Sequence, residues 1–70
     1  MTDTDDRIPN EPIMKYFAYN HLPVELKEVA SKFASLAWSV HDSLPRCAER
    51  SVALRKLLEA KDAAVRAALP

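Results

Sequence analysis

The sequence lacks glycine altogether and contains a single cysteine, and each shortage excludes several classes of protein. Dinucleotide-binding fingerprints, P-loops and tight primed hairpin turns need glycine, because their backbone takes positive φ angles or closely approaches a phosphate. Cys47 has no second cysteine to pair with, so the disulfides typical of small secreted domains are excluded and a reducing interior is the expected compartment. No apolar run approaches the roughly 18 residues of a membrane span, and the acidic N-terminus is unlike a signal peptide.

The charges are balanced over the whole chain but unevenly placed along it. Ten acidic and ten basic residues share the 70 positions. Residues 1–12 hold four acids and one base, a net charge of −3, and residues 13–70 hold nine bases and six acids, a net charge of +3. The second part is too weakly cationic for an extended nucleic-acid surface, but it favours a small anion.

Proline positions and apolar spacing predict one all-α domain. Residues 1–9 are predicted to be a flexible acidic arm and residues 10–70 a helical hairpin domain. A short helix would begin at an Asn10 cap, with Pro12 in its first turn, and reach about residue 19. Long helices are predicted over about 23–42 and 45–69, each introduced by a proline that stops one helix and starts the next. The short helix would bury a face of Ile13, Tyr16 and Phe17.

The first long helix carries two apolar rows on neighbouring faces. The row with heptad-type spacing, which we call the seam, contains Leu26, Val29, Phe33, Leu36 and Val40. The alanine row contains Ala30, Ala34, Ala37 and His41, with Trp38 beside it. One short and two long helices cannot cover both rows, so we expect a short N-terminal helix and a long antiparallel hairpin, assembled as a homo-oligomer.

No set of residues with catalytic or metal-binding spacing is present. The two histidines, His21 and His41, lie at opposite ends of the first long helix, and one cysteine gives no zinc motif. Cys47 is interpreted as a buried thiol, and the alternative is a thiol activated by the helix N-terminus. His21 is interpreted as a residue of the helix junction and His41 as a cation at a helix C-terminus. We therefore predict a protein that is not an enzyme and has no cofactor.

Aromatic and cationic side chains are more informative. Nucleotide bases stack on aromatic rings, and phosphates need Lys, Arg or amide donors. The candidates are Tyr16, Phe17 and Tyr19 with Lys15, Lys27 and Lys32, and also Arg46, Arg50, Arg55 and Arg66. The structural alternative is that the aromatic residues attach the short helix to the hairpin while the cations are solvated.

Scattered positions also carry a family resemblance. The segment Tyr19-Asn20-His21-Leu22, the downstream Lys32 and the closing segment 65–70 (VRAALP) resemble the phage anti-CBASS cyclic-oligonucleotide sponge family, whose helical hairpin is shared with Thoeris anti-defence sponges. The resemblance covers most of residues 13–70. It implies a homohexamer in the cytoplasm of an infected bacterium that sequesters cyclic di- and trinucleotides without degrading them.

The same resemblance implies roles for individual residues. Tyr19 would stack on a base and Lys32 would contact a phosphate, while Asn20 and Arg66 would hydrogen-bond a cyclic trinucleotide. Tyr19 and Lys32 are thirteen residues apart, about two fewer than the family spacing, which leaves Lys27 as the alternative phosphate ligand. Pro23 replaces the polar residue that more usually begins the helix.

The sequence therefore predicts pockets between subunits, because a hairpin this small has no room inside for a cyclic dinucleotide. The leading hypothesis is immune evasion by sequestering cyclic nucleotides such as cyclic GMP-AMP. The alternative is a helical homo-oligomeric structural or adaptor protein without a small ligand. A third class, a small nucleic-acid binder, is disfavoured by the near-neutral charge.

Overall fold

The computed structural model describes residues 11–69, which form a helical hairpin with a short helix packed on it. A 3₁₀ helix spans Pro12–Phe17, α1 spans Val24–Ser43 and α2 spans Ala48–Ala68. The described part is all-helical and contains no strand, so the predicted fold class is confirmed at the level of a long helix pair. The predicted arm, residues 1–9, and the predicted Asn10 cap lie outside the described residues.

The two long helices begin and end close to their predicted positions. Pro23 is the N-cap of α1, one residue before the first helical position that proline usually favours. The second long helix begins three residues later than predicted, with Cys47 as an extended N-cap residue. Cys47 is exposed, so its interpretation as a buried thiol is wrong. Leu44 is also extended, as expected for a residue before proline, and residues 44–47 form the connection.

The first helix differs from the prediction in type, length and buried face. It is a 3₁₀ helix that ends at Phe17, after which Ala18 is extended. Three residues per turn place Glu11, Met14 and Phe17 on one face, and all three are buried. The predicted face is therefore wrong for Tyr16, which is 56% exposed.

The core contains the alanine row of α1 rather than the seam. Ala30, Ala34 and Ala37 are buried, and their small side chains allow close approach of the neighbouring helices. Trp38, Met14, Phe17 and Leu54 are the other buried hydrophobic residues of the described part. In contrast, the seam lies at the edge of the core: Phe33 and Val40 are partly buried, and Leu36 is 52% exposed.

A buried ion pair joins all three helices at the closed end of the hairpin. Arg50 is only 3% exposed, and its Nε donates to Glu11 Oε1 at 2.6 Å. Its Nη1 donates to the carbonyl oxygens of His41 and Leu44 at 2.9 and 3.0 Å. Ser51 Oγ donates to Glu11 Oε2 at 2.6 Å. The sequence-based alternatives for Arg50, a solvated cation or a ligand-binding one, are therefore both wrong.

Residues 11–69 form a thin body, with principal extents of 38 × 27 × 16 Å. Within residues 11–69, neither long helix has the unbroken apolar length that crossing a bilayer requires.

Candidate ligand-binding surface

An open depression of about 400 Å³ lies where the chain enters α1, and we call it the tyrosine–lysine depression. It is lined by Tyr19, Val24, Lys27, Glu28 and Ser31. Tyr19, Lys27 and Ser31 are partly buried, whereas Val24 and Glu28 are exposed. Two of the candidate residues named from the sequence, Tyr19 and Lys27, are thus brought together.

Local backbone structure explains the position of Tyr19. Buried Phe17 fixes the end of the 3₁₀ helix, and the extended Ala18 then redirects the chain. The carbonyl oxygen of Tyr19 accepts a hydrogen bond from the N–H of Leu22 at 3.1 Å, which closes the turn before Pro23. One part of the Tyr19 side chain packs against the core, and the rest faces the depression.

Helical spacing places the other lining residues on one side of α1. Val24, Lys27, Glu28 and Ser31 follow the i, i+3, i+4, i+7 pattern, which puts them on a common face. The first helical hydrogen bond, from the N–H of Lys27 to the carbonyl oxygen of Pro23, is 2.7 Å long. Ser31 Oγ donates to the backbone carbonyl of Glu28 at 3.0 Å, so its lone pairs are available to accept.

The depression combines three kinds of chemistry. The ring of Tyr19 offers a stacking surface for a planar base, and the ammonium of Lys27 offers three donors to an anion. Glu28 and Ser31 supply acceptors for hydrogen-bond donors of a ligand. Val24 begins α1, and the helix dipole favours negative charge at that end. The depression is open, however, so one chain would cover only one side of a ligand of nucleotide size.

The remaining candidates lie outside the depression. Lys32 is exposed, and five residues after Lys27 it is rotated by about 140° around the helix axis. Tyr16 is contacted by Lys15, whose Nζ lies 5.3 Å from the ring centroid. Asn20 is exposed in the turn next to Tyr19, and Arg66 is exposed in the last turn of α2. Their ligand-binding roles stay predictions.

A second depression, of about 340 Å³, lies at the open end of the hairpin. It is lined mainly by apolar groups of Pro23, Leu26, Ala68 and Leu69, together with Glu25. Pro23 lines this depression and the next residue, Val24, lines the tyrosine–lysine depression, so both lie near the start of α1. This end of the molecule therefore presents a polar surface and an apolar surface side by side.

Two polar residues of the tyrosine–lysine depression, Glu28 and Ser31, are not among the residues predicted from the sequence. They are neither aromatic nor cationic, and their helical spacing from Lys27 is the one signal in the sequence that points to them. Within residues 11–69 no three His, Cys, Asp or Glu side chains converge as metal ligands would. Comparisons with protein-family models, with curated proteins and with solved structures found no match.

Proposed function

We propose that the chain binds and sequesters cyclic di- and trinucleotide second messengers, such as cyclic GMP-AMP, without degrading them. The proposal rests chiefly on the placement of Tyr19 and Lys27 in one depression. In this proposal the protein acts in the cytoplasm of a phage-infected bacterium and blocks CBASS-type defence by removing the signal. The resemblance noted above supports that setting.

The lining residues suit the parts of a cyclic nucleotide. A base stacks on the Tyr19 ring, and stacking of this kind contributes about 1–3 kcal/mol per base. A phosphate oxygen accepts from the Lys27 ammonium, a charge-assisted hydrogen bond that is stronger than a neutral one. For the larger trinucleotide ring, Asn20 and Arg66 are the proposed hydrogen-bond donors, and both are exposed.

A second subunit is needed to complete the pocket. Ligand sites commonly enclose 70–90% of a small molecule, whereas the tyrosine–lysine depression is open. Val24, at its edge, is 77% exposed, and contact with another copy would bury it. A two-fold axis would also bring together two copies of Lys27, which matches a ligand with two phosphates. We therefore place the pockets between the subunits of a homo-oligomer, as the expected hexamer would allow.

The direct test is calorimetry of the purified protein with cyclic di-AMP, cyclic di-GMP, cyclic GMP-AMP and cyclic tri-AMP. We expect Lys27→Gln to weaken binding of the dinucleotides by about tenfold or more, because a hydrogen bond to a charged group is lost. Lys32→Gln tests the other lysine for which the resemblance implies phosphate contact, and Lys56→Gln, an exposed lysine of α2 outside the depression, is the matched control. A loss on Lys32→Gln with none on Lys27→Gln would contradict the assignment.

A further measurement separates sequestration from degradation. After binding, the complex is heated and the released nucleotide is analysed by chromatography. Full recovery of intact nucleotide is the expected result, and a linear or hydrolysed product would identify an enzyme instead. Failure of all four nucleotides to bind would refute the proposed function.

The second candidate is a structural or adaptor homo-oligomer without a small ligand. Exposed Leu36 and the apolar depression at Leu26 and Leu69 favour it, because both surfaces suit protein contacts. For this candidate, Tyr19→Leu and Lys27→Gln would leave assembly intact, and no cyclic nucleotide would bind.

A further inference from the structure

The polar lining of the tyrosine–lysine depression is not that of a simple phosphate clamp. Beside the single cation Lys27 it contains the carboxylate of Glu28 and the hydroxyl of Ser31. An ionised carboxylate only accepts hydrogen bonds, and the Ser31 proton is directed to the Glu28 carbonyl. These two groups therefore require donors on the ligand, and they repel phosphate oxygens.

In a cyclic dinucleotide the available donors are the N–H groups of the bases and the ribose hydroxyls. A base stacked on Tyr19 would direct its edge toward neighbouring side chains, and unpaired bases are commonly recognised through that edge. Glu28 lines the same depression as Tyr19, so its carboxylate is the candidate partner for the edge of a base stacked there.

Guanine is the base whose edge fits a carboxylate. Its N1–H and N2 amino group are adjacent donors, which match the two carboxylate oxygens. Adenine has one amino donor beside the acceptor N1, whose lone pair would face the second oxygen. Cytosine has the same unfavourable pairing at N4 and N3. A protein site that uses such a contact strongly rejects a ligand without the donors, because the polar group of the protein is then left without a hydrogen-bond partner.

We propose that Glu28 makes the tyrosine–lysine depression selective for guanine, so that the preferred ligands are guanine-containing cyclic nucleotides. This inference rests on the proposed function, because it assumes that a base stacks on Tyr19. In the same arrangement Lys27 contacts a phosphate and Ser31 accepts from a ribose hydroxyl or a base N–H.

The experiment compares cyclic di-GMP with cyclic di-AMP by calorimetry on the full chain. We expect the unmodified protein to bind cyclic di-GMP on the order of tenfold more tightly, the discrimination typical of one bidentate base contact. Cyclic di-IMP, which lacks the N2 amino group, should bind with intermediate affinity. Equal affinity for all three would overturn the inference.

Glu28→Gln is the decisive variant, because glutamine keeps the shape but replaces one acceptor by a donor. We expect the preference for cyclic di-GMP to fall to about twofold or less, while cyclic di-AMP binds as before or more tightly. The matched control is Glu25→Gln, an exposed acid of the first turn of α1 that lines the other depression. It should change both affinities by the same factor.

The outcomes separate this inference from the proposed function. If the unmodified protein binds neither nucleotide, the proposed function fails. If it binds both and Glu28→Gln changes both affinities equally, Glu28 acts only through its charge or through the ribose, and the guanine inference fails alone. Circular dichroism of each variant verifies that the helices are retained.

Discussion

At the scale of single residues, Arg50 shows how a distant contact determines the role of a side chain. Arg50, Arg55 and Arg66 all belong to α2, yet only Arg50 is buried. Its partner Glu11 is 39 positions away, so no helical spacing reveals the pair. Burying an arginine is tolerated here because the carboxylate and two carbonyl oxygens accept from it.

The same cluster predicts a loss of stability in acid. The hydrogen bond from Ser51 is the main cause that lowers the pKa of Glu11 below its ordinary value of 4.5, and Arg50 and Arg46 lower it further, while burial opposes them. A carboxyl whose pKa is lower in the folded state stabilises the fold above its unfolded pKa and loses that contribution as pH falls through the folded value. Urea unfolding at a series of pH values should therefore show stability that decreases below about pH 4.5.

The variant Glu11→Gln isolates this contribution. At pH 7 we expect it to destabilise the fold by about 3 kcal/mol, because Arg50 keeps its charge in a buried place without its carboxylate. The difference in unfolding free energy between the variant and the unmodified protein should become smaller in acid, where Glu11 is protonated. Glu49→Gln, an exposed acid next to Arg50, is the control and should change stability by less than about 0.5 kcal/mol. If the difference in unfolding free energy stayed constant with pH, the ionised carboxylate of Glu11 would not be the source of the stabilisation.

At the scale of elements, prolines and apolar spacing predicted the two long helices, but not which surfaces they bury. Pro23 marks the start of α1 because its backbone restricts the local chain, whatever the rest of the molecule does. The choice between the seam and the alanine row depends on which partner helix packs there, and sequence spacing alone does not decide it. The 3₁₀ geometry of residues 12–17 is likewise selected by tertiary contacts of Glu11, Met14 and Phe17.

Close packing of the alanine row gives a prediction at this scale. Ala37 is fully buried, so Ala37→Leu should force the helices apart and cost about 2 kcal/mol of unfolding free energy. The control is Ala63→Leu, which makes the same change at an exposed position of α2 and should cost less than about 0.5 kcal/mol. Urea denaturation at one fixed protein concentration measures both. Equal effects of the two substitutions would show that the alanine row is not closely packed.

At the scale of the whole molecule, the candidate site was only partly predictable. Tyr19 and Lys27 could be named because aromatic and cationic side chains are distinctive. Glu28 and Ser31 are ordinary residues of a helix surface, and only the turn at residues 19–23 brings Tyr19 beside them. The shape of a completed pocket depends further on a second chain, which the arrangement of one chain does not define.

Assembly is the prediction on which the proposed pockets depend. Leu36 of the seam is half exposed, and its burial by another copy would remove apolar surface from water. We expect sedimentation at micromolar concentration to give a particle several times heavier than the 7.9 kDa chain. Leu36→Asp should yield the single chain with its helices retained, whereas Ala63→Asp, at an exposed position of α2, should leave assembly unchanged. If the unmodified protein sediments as a 7.9 kDa particle at every concentration, Leu36 is an ordinary exposed side chain and no second subunit completes the nucleotide pocket.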